Sequence, residues 1–189
     1  MKQDRRVTKT KKSIKDAFTS LMLETHSLQS ISVTKLVEKA DIGRGTFYLH
    51  YSDLDALQDE IEDDILMEFE ESIKTDNLSS EYSFEIFIRD IISFVQSNRE
   101  ILKILIIQNK DNTFTFKLKN TAKRIIFSSS PKAQNRKSTN YTEYYYSFIF
   151  AGTVDLIIEW LQGMIDESAE SLATIIERII FEGIKMLEE

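Results

Sequence analysis

The chain has 189 residues, of which 42% are hydrophobic, with one Pro, five Gly and no Cys. So few turn residues argue against an all-β fold and for helices nearly throughout, while the lack of Cys excludes disulfides and thiolate metal sites and fits a reducing cytosol. The formal net charge of −7 is unevenly spread, because residues 1 to 50 hold ten Lys/Arg against five Asp/Glu and the remainder holds fourteen against twenty-six. A basic segment favours a polyanion such as DNA, and an acidic body is repelled by one.

No apolar stretch follows the basic start, and no run of about 18 apolar residues occurs, so neither a signal peptide nor a membrane span is expected. The expectation is a cytoplasmic, DNA-associated protein with no membrane contact. Residues 1 to 7 read as a mobile basic arm. A first helix is predicted from Thr8 or Thr10 to Glu24, its stripe of Ile14, Ala17, Phe18, Leu21 and Met22 packing on the next two helices.

The stretch from Ser32 to Tyr51 carries the most information. Val33, Leu36, Val37 and Ala40 fall at i, i+3, i+4 and i+7, which places them on one helix face and leaves Thr34, Lys35, Glu38 and Lys39 outside. Ser32 suits the N-cap. Asp41-Ile42-Gly43 breaks this helix, Asp41 tolerating a left-handed conformation and Ile42 plugging the angle. A second short helix is predicted from Arg44 to Tyr51, with Phe47 inward and Arg44, Gly45, Thr46, Tyr48, Leu49 and His50 facing a groove or its phosphates. Gly45 costs about 1 kcal/mol against Ala in a helix, which makes sense where another surface approaches the backbone closely. The pattern is that of a helix-turn-helix.

The chain from Thr10 to Leu57 resembles the DNA-binding domain of TetR-family transcriptional regulators, above all in G-R-G-T-F-Y-L-H-Y followed by S-D-L-D-A-L. The resemblance implies that Arg44, Gly45 and Thr46 lie against bases and that Tyr48 and His50 hold phosphates. Ser32, Thr34, Lys35 and Leu49 complete the candidate DNA-binding set. Three positions depart from the family pattern: Asp41 stands where Gly is usual, Gly43 where Ser is usual, and Leu54 where a phosphate-binding Lys is usual.

A fourth helix is predicted after Ser52 or Asp53, with Leu54, Leu57, Ile61, Ile65 and Phe69 at helical spacing to about Lys74. Its acidic run, Asp59, Glu60, Glu62, Asp63 and Asp64, reads as a solvated face. A break at Asn77 to Ser80 precedes a fifth helix marked by Phe84, Phe87, Ile88, Ile91, Ile92 and Val95. A sixth carries Ile101, Leu102, Leu105 and Ile106, and a seventh runs from about Thr113 to Phe127. Ser128 to Asn140 is polar, contains the only Pro and reads as a surface loop.

The eighth helix, about Tyr141 to Gly163, is apolar around most of its circumference and should be buried on two sides. The ninth begins after Ser168. Together they predict a homodimer interface, with Trp160, Leu161, Ile176, Ile179, Ile180 and Ile184 as candidates. Tyr141 to Leu172, with A-G-T-V-D-L-I-I-E-W-L-Q-G-M, also resembles the TetR subgroup that includes dihydroxyacetone kinase regulators. Resemblance further implies an effector pocket enclosed by the fourth to eighth helices. Phe87, Phe94, Phe127, Tyr145 and Phe148 are its candidate lining, and the effector is unidentified.

His26 and His50 do not suggest a metal site, and no G-x-S-x-G, phosphate-binding Gly loop or dinucleotide fingerprint occurs. No catalytic residue, cofactor or metal is expected. The chain is therefore expected to be all-α, with a DNA-binding domain at 1–53 and a helical regulatory and dimerisation domain at 54–189, about nine helices in all. It is expected to act as a homodimeric repressor on a palindromic double-stranded DNA operator, released by a small-molecule effector. The alternative is a co-regulator acting through protein contacts, with weak or no DNA binding.

Overall fold

The computed structural model describes residues 5–73, 84–108, 112–129 and 140–188; within these, side chains at 84–85, 108, 126–129, 140–143, 145–146 and 181–188 are not described. The predicted break at Asn77 to Ser80 and all but the ends of the Ser128 to Asn140 loop lie outside the described residues. Nine α-helices and no strand are found among the described residues: α1 (Arg5–Thr25), α2 (Val33–Lys39), α3 (Arg44–Tyr48), α4 (Leu54–Ser72), α5 (Phe84–Ser97), α6 (Arg99–Lys103), α7 (Thr113–Ser129), α8 (Asn140–Gln162) and α9 (Ala169–Glu188). The architecture is all-α, and none of the described helices is long and apolar enough to cross a membrane.

Two compact units are formed, Met1–Ile65 with Glu100–Phe114, and Leu66–Arg99 with Thr115–Glu189. In the first, the predicted stripe on α1 is buried at all five positions, Ile14, Ala17, Phe18, Leu21 and Met22. Leu36, Val37 and Ala40 of α2, Phe47 of α3 and Leu57, Ile61 and Ile65 of α4 are buried too. α1 starts earlier than predicted. Thr10, taken for a starting residue, instead donates its hydroxyl back to the Arg6 carbonyl at 2.9 Å, satisfied inside the helix rather than capping it.

The acidic run on α4 is the predicted solvated face only in part: Asp59 and Asp63 are exposed, whereas Glu60, Glu62 and Asp64 are engaged. Lys11 and Lys15 of α1 reach Glu60 at 2.8 and 2.7 Å, and Lys15 also reaches Asp64 at 2.5 Å. Glu62 is only 2% exposed and accepts from Gln58 at 2.9 Å. The Lys11 ammonium also lies 5.2 Å from the centroid of the buried Tyr51 ring. Burial first, then the carboxylates of Glu60 and Asp64, push the Tyr51 phenol well above its usual range and keep it neutral. The partners come from another helix, 49 residues away in sequence.

In the second unit α5 packs on α9. The predicted α5 positions Phe87, Ile88, Ile91, Ile92 and Val95 are buried, and Phe94 sets its ring edge against Phe69 with centroids 5.1 Å apart. Arg89 and Glu177 tie the pair together at 2.9 Å. α8 ends on Gly163 at φ 82, where Met164 N–H reaches the Glu159 carbonyl at 2.9 Å and Gly163 N–H the Trp160 carbonyl at 3.0 Å. That pair of bonds is a Schellman closure, which calls for a left-handed residue. Beyond it the Trp160 indole donates to the Glu167 carbonyl at 2.8 Å, and Arg99 lies over the indole at 4.8 Å.

Burial tends to raise the Glu60 carboxyl pKa, but hydrogen bonds from Lys11 and Lys15 outweigh it and hold it below 4.5. Burial likewise tends to lower Lys15, yet hydrogen bonds to Asp64 and Glu60 leave it raised above 10.5. A depressed acid stabilises the fold above its ordinary pKa and loses that contribution as pH falls through the depressed value; a raised base does the reverse at the alkaline end. Glu60→Gln is therefore expected to lower stability by about 1 kcal/mol at pH 7. In urea unfolding the deficit should shrink as pH falls below 4.5, and a deficit that is constant with pH would contradict the ion-pair account.

Candidate nucleic-acid interface

The predicted helix-turn-helix forms, and its turn has a definable chemistry. Ile42 N–H bonds to the Val37 carbonyl at 3.0 Å and Asp41 N–H to the Glu38 carbonyl at 3.3 Å, with Asp41 at φ 53. This is a second Schellman closure, here with Asp in the left-handed position where Gly is the usual solution. Asp fits because its short polar side chain tolerates that conformation better than most. Ser32 caps α2 by accepting from Lys35 N–H at 3.3 Å.

α3 is shorter than the predicted Arg44 to Tyr51. It ends at Tyr48, because His50 N–H turns back to the Phe47 carbonyl at 2.9 Å and tightens the last turn. Phe47 and Tyr51 both point inward, their ring centroids 5.9 Å apart, and fix the face that looks outward. On or beside that face, Ser32, Thr34, Lys35, Arg44, Gly45, Tyr48 and Leu49 are exposed, and Thr46 and His50 are half-buried. All nine lie on α2, α3 or the residues that flank them, within the first unit. Arg44 donates to the Thr34 hydroxyl at 2.6 Å, which holds its guanidinium across the gap between the two helices.

At the start of α4 the chain differs from the family pattern in chemistry as well as in sequence. Leu54 is half-buried, and Asp53 caps the helix by accepting from Ala56 N–H at 2.8 Å. That backbone bond holds the Asp53 carboxyl below its usual range. The helix N-terminus, otherwise a ready anion site, already carries a carboxylate.

The other candidate residues are dispersed. Trp160, Leu161, Ile176 and Ile180 are buried within their own chain, whereas Ile179 is 50% exposed. Phe87 and Phe94 are core residues of α5, but Phe148 is 76% exposed. The side chains of Phe127, Tyr145 and Ile184 lie outside the described ones. Among its described side chains, α8 is buried along one side, by Ile149, Thr153, Ile157, Trp160 and Leu161. Its other side is open in the single chain, where Phe148, Gly152, Leu156, Ile176 and Ile179 line a groove of about 300 Å³. Tyr144, Gly152 and Ile175 on this face were missed as candidates; the signal was the i, i+4, i+8 series Tyr144, Phe148, Gly152. Among the described residues no group of three or more His, Asp or Glu is placed to hold a metal ion.

A helix-turn-helix head in an all-helical chain places the protein in the class of helix-turn-helix transcriptional regulators. The family described as "Transcriptional regulator C-terminal region" of TetR regulators matches residues 82–182, and the chain belongs to the TetR family of transcriptional regulators. No curated protein matches the sequence. Among solved structures, the TetR transcriptional regulator from Streptococcus agalactiae aligns with a TM-score of 0.67 at 21% identity, covering 94% of this chain and 96% of its own. The dihydroxyacetone kinase operon activator DhaS aligns with a TM-score of 0.64 at 21% identity, covering 94% and 97%. At that identity the two structures establish the shared fold.

A Cβ added at Gly45 would meet no atom of the protein within 4 Å, and the residue is not at positive φ. Packing therefore does not require glycine there. Gly45→Ala is expected to stabilise the protein by about 0.5–1 kcal/mol. Thermal unfolding checks this, and a lowered midpoint would mean that the chain itself needs the glycine.

Proposed function

We propose that the protein is a sequence-specific DNA-binding regulator that acts as a homodimeric repressor, each α3 entering a major groove of a palindromic operator. The observation that carries this reading is the outward face of α3: a glycine that packing does not require, flanked by Arg44 and Tyr48 and backed by Thr34 and Lys35. Arg44 suits guanine, whose O6 and N7 accept a bidentate guanidinium, and Tyr48 and His50 suit phosphates. Half-sites one helical turn or a small multiple apart would match a two-fold dimer.

Support for the dimer comes from the open side of α8 with Ile179 of α9, since a groove of this apolarity in one chain is suited to a second copy. Release by a small-molecule effector is proposed from family membership, because Phe87 and Phe94 are packed in their own core. The alternative, a co-regulator working through protein contacts, is favoured by one observation. At the start of α4 a carboxylate and a leucine stand where a phosphate contact would lie.

Mobility shift on the DNA upstream of its own gene, or on duplexes selected from a random pool, tests the reading. Arg44→Ala combined with Tyr48→Ala should abolish specific binding, and Gly45→Ala should weaken it at least about tenfold by blocking close approach. Absence of specific binding at any salt, together with a stoichiometric protein partner in pull-down, would favour the co-regulator instead. Leu54→Lys should tighten binding and steepen the dependence of log K on log salt by about 0.9, one phosphate's worth. Ile179→Glu should leave the fold intact and shift sedimentation from dimer to monomer; a monomeric parent would overturn the dimer. Deleting the gene should raise transcription of the operator's genes, and a fall would make the protein an activator.

A further inference from the structure

Leu49 is 84% exposed, more than any other large apolar side chain among the described residues. Its place in the fold is specific. Phe47 and Tyr51 point into the core, and Leu49, two residues from each, points the opposite way. Its N–H bonds to the Gly45 carbonyl at 3.1 Å and its backbone stays helical at φ −71, ψ −23, so the side chain stands on a fixed mount rather than a loose loop. Gly45 lies one turn before it on the same outer line. The two residues share an anomaly: one is a glycine that no protein atom requires, the other an apolar side chain that its own chain leaves uncovered.

Both anomalies point to a surface that comes from outside. Resting on the DNA-binding reading, we infer that Leu49 determines specificity by packing on the C5-methyl group of a thymine in the major groove. Phosphate oxygens give an isobutyl group nothing, and most base edges would lose water from their donors and acceptors beneath it. The thymine methyl is the one apolar feature the groove presents. Gly45 lets the backbone close on the groove floor, Arg44 is held by Thr34 one turn away from Leu49, and Leu49 then reaches a base that Arg44 does not. Leucine here gains affinity from buried area, without the directional hydrogen bonds through which polar side chains read bases.

The experiment uses the full chain and an operator selected from random duplexes. Each thymine of a half-site is replaced singly by deoxyuridine, which removes the methyl and leaves base pairing unchanged. For the parent protein one position should weaken binding about fourfold, the scale of one buried methyl group. Leu49→Ala should bind the unmodified operator about fourfold or more weakly and be indifferent to deoxyuridine at that position. A parent insensitive to every deoxyuridine, or a Leu49→Ala protein with the same penalty at the same position, overturns the inference while leaving DNA binding intact. A parent that selects no operator overturns the DNA-binding reading and this inference with it.

Discussion

Two lysines of α1 and two carboxylates of α4 set the mechanics of the first unit. Lys11 and Lys15 share Glu60, Lys15 adds Asp64, and the buried ring of Tyr51 lies beneath Lys11. Each pair alone would contribute little in water. Half-buried and sharing partners, they join α1 to the first three turns of α4, on the far side of the helix-turn-helix in sequence. The N-terminal segment of the unit runs to Ile65, inside α4, and so takes in the start of that helix. What the resemblance presents as a head plus a connecting helix is, in packing, a head that includes the start of that helix.

Within this frame the local rules of helix and turn are broken most densely in one short stretch. Asp41 is left-handed without being glycine, Gly45 sits in a helix that does not need it, and Leu49 stands in water. Elsewhere in the unit His26 and Asn112 are also left-handed and Leu23 and Ile107 are partly exposed, but these exceptions are scattered rather than gathered. A sequence pays such penalties together only where something outside the chain repays them. The concentration of exceptions between residues 41 and 49 marks the surface more sharply than its charge does.

Much of this could be read from the sequence because it depends on local spacing. The five buried residues of α1, the Ser32 cap and the core face of α5 all follow from periodicity. What could not be read depends on distant partners or on which way a coated helix turns. The α4 carboxylates looked solvated because their lysines lie 49 residues earlier. Trp160, Leu161, Ile176 and Ile180 are as apolar as an interface requires, yet they fill their own core and leave Phe148 and Ile179 outside. Composition gives how much apolar surface a helix has; only packing says which part its own chain uses. Thr10 shows the same limit for polar groups, since a hydroxyl can cap a helix or bond within it.

Placing the boundary at Ile65 also changes the electrical character of the first unit. Residues 1 to 50 count as strongly basic, but residues 1 to 65 hold ten Lys/Arg against twelve Asp/Glu, a net charge of −2, and the unit's other segment, 100 to 114, adds two of each sign. The segment to Ile65 is thus closer to a dipole than to a cation, with nine of its ten positive residues on α1 to α3 and six of its twelve carboxylates gathered on the first turns of α4. A polyanion at a distance would exert a turning force on such an object before any strong pull. The charge of this head is arranged to set its angle of approach more than its speed.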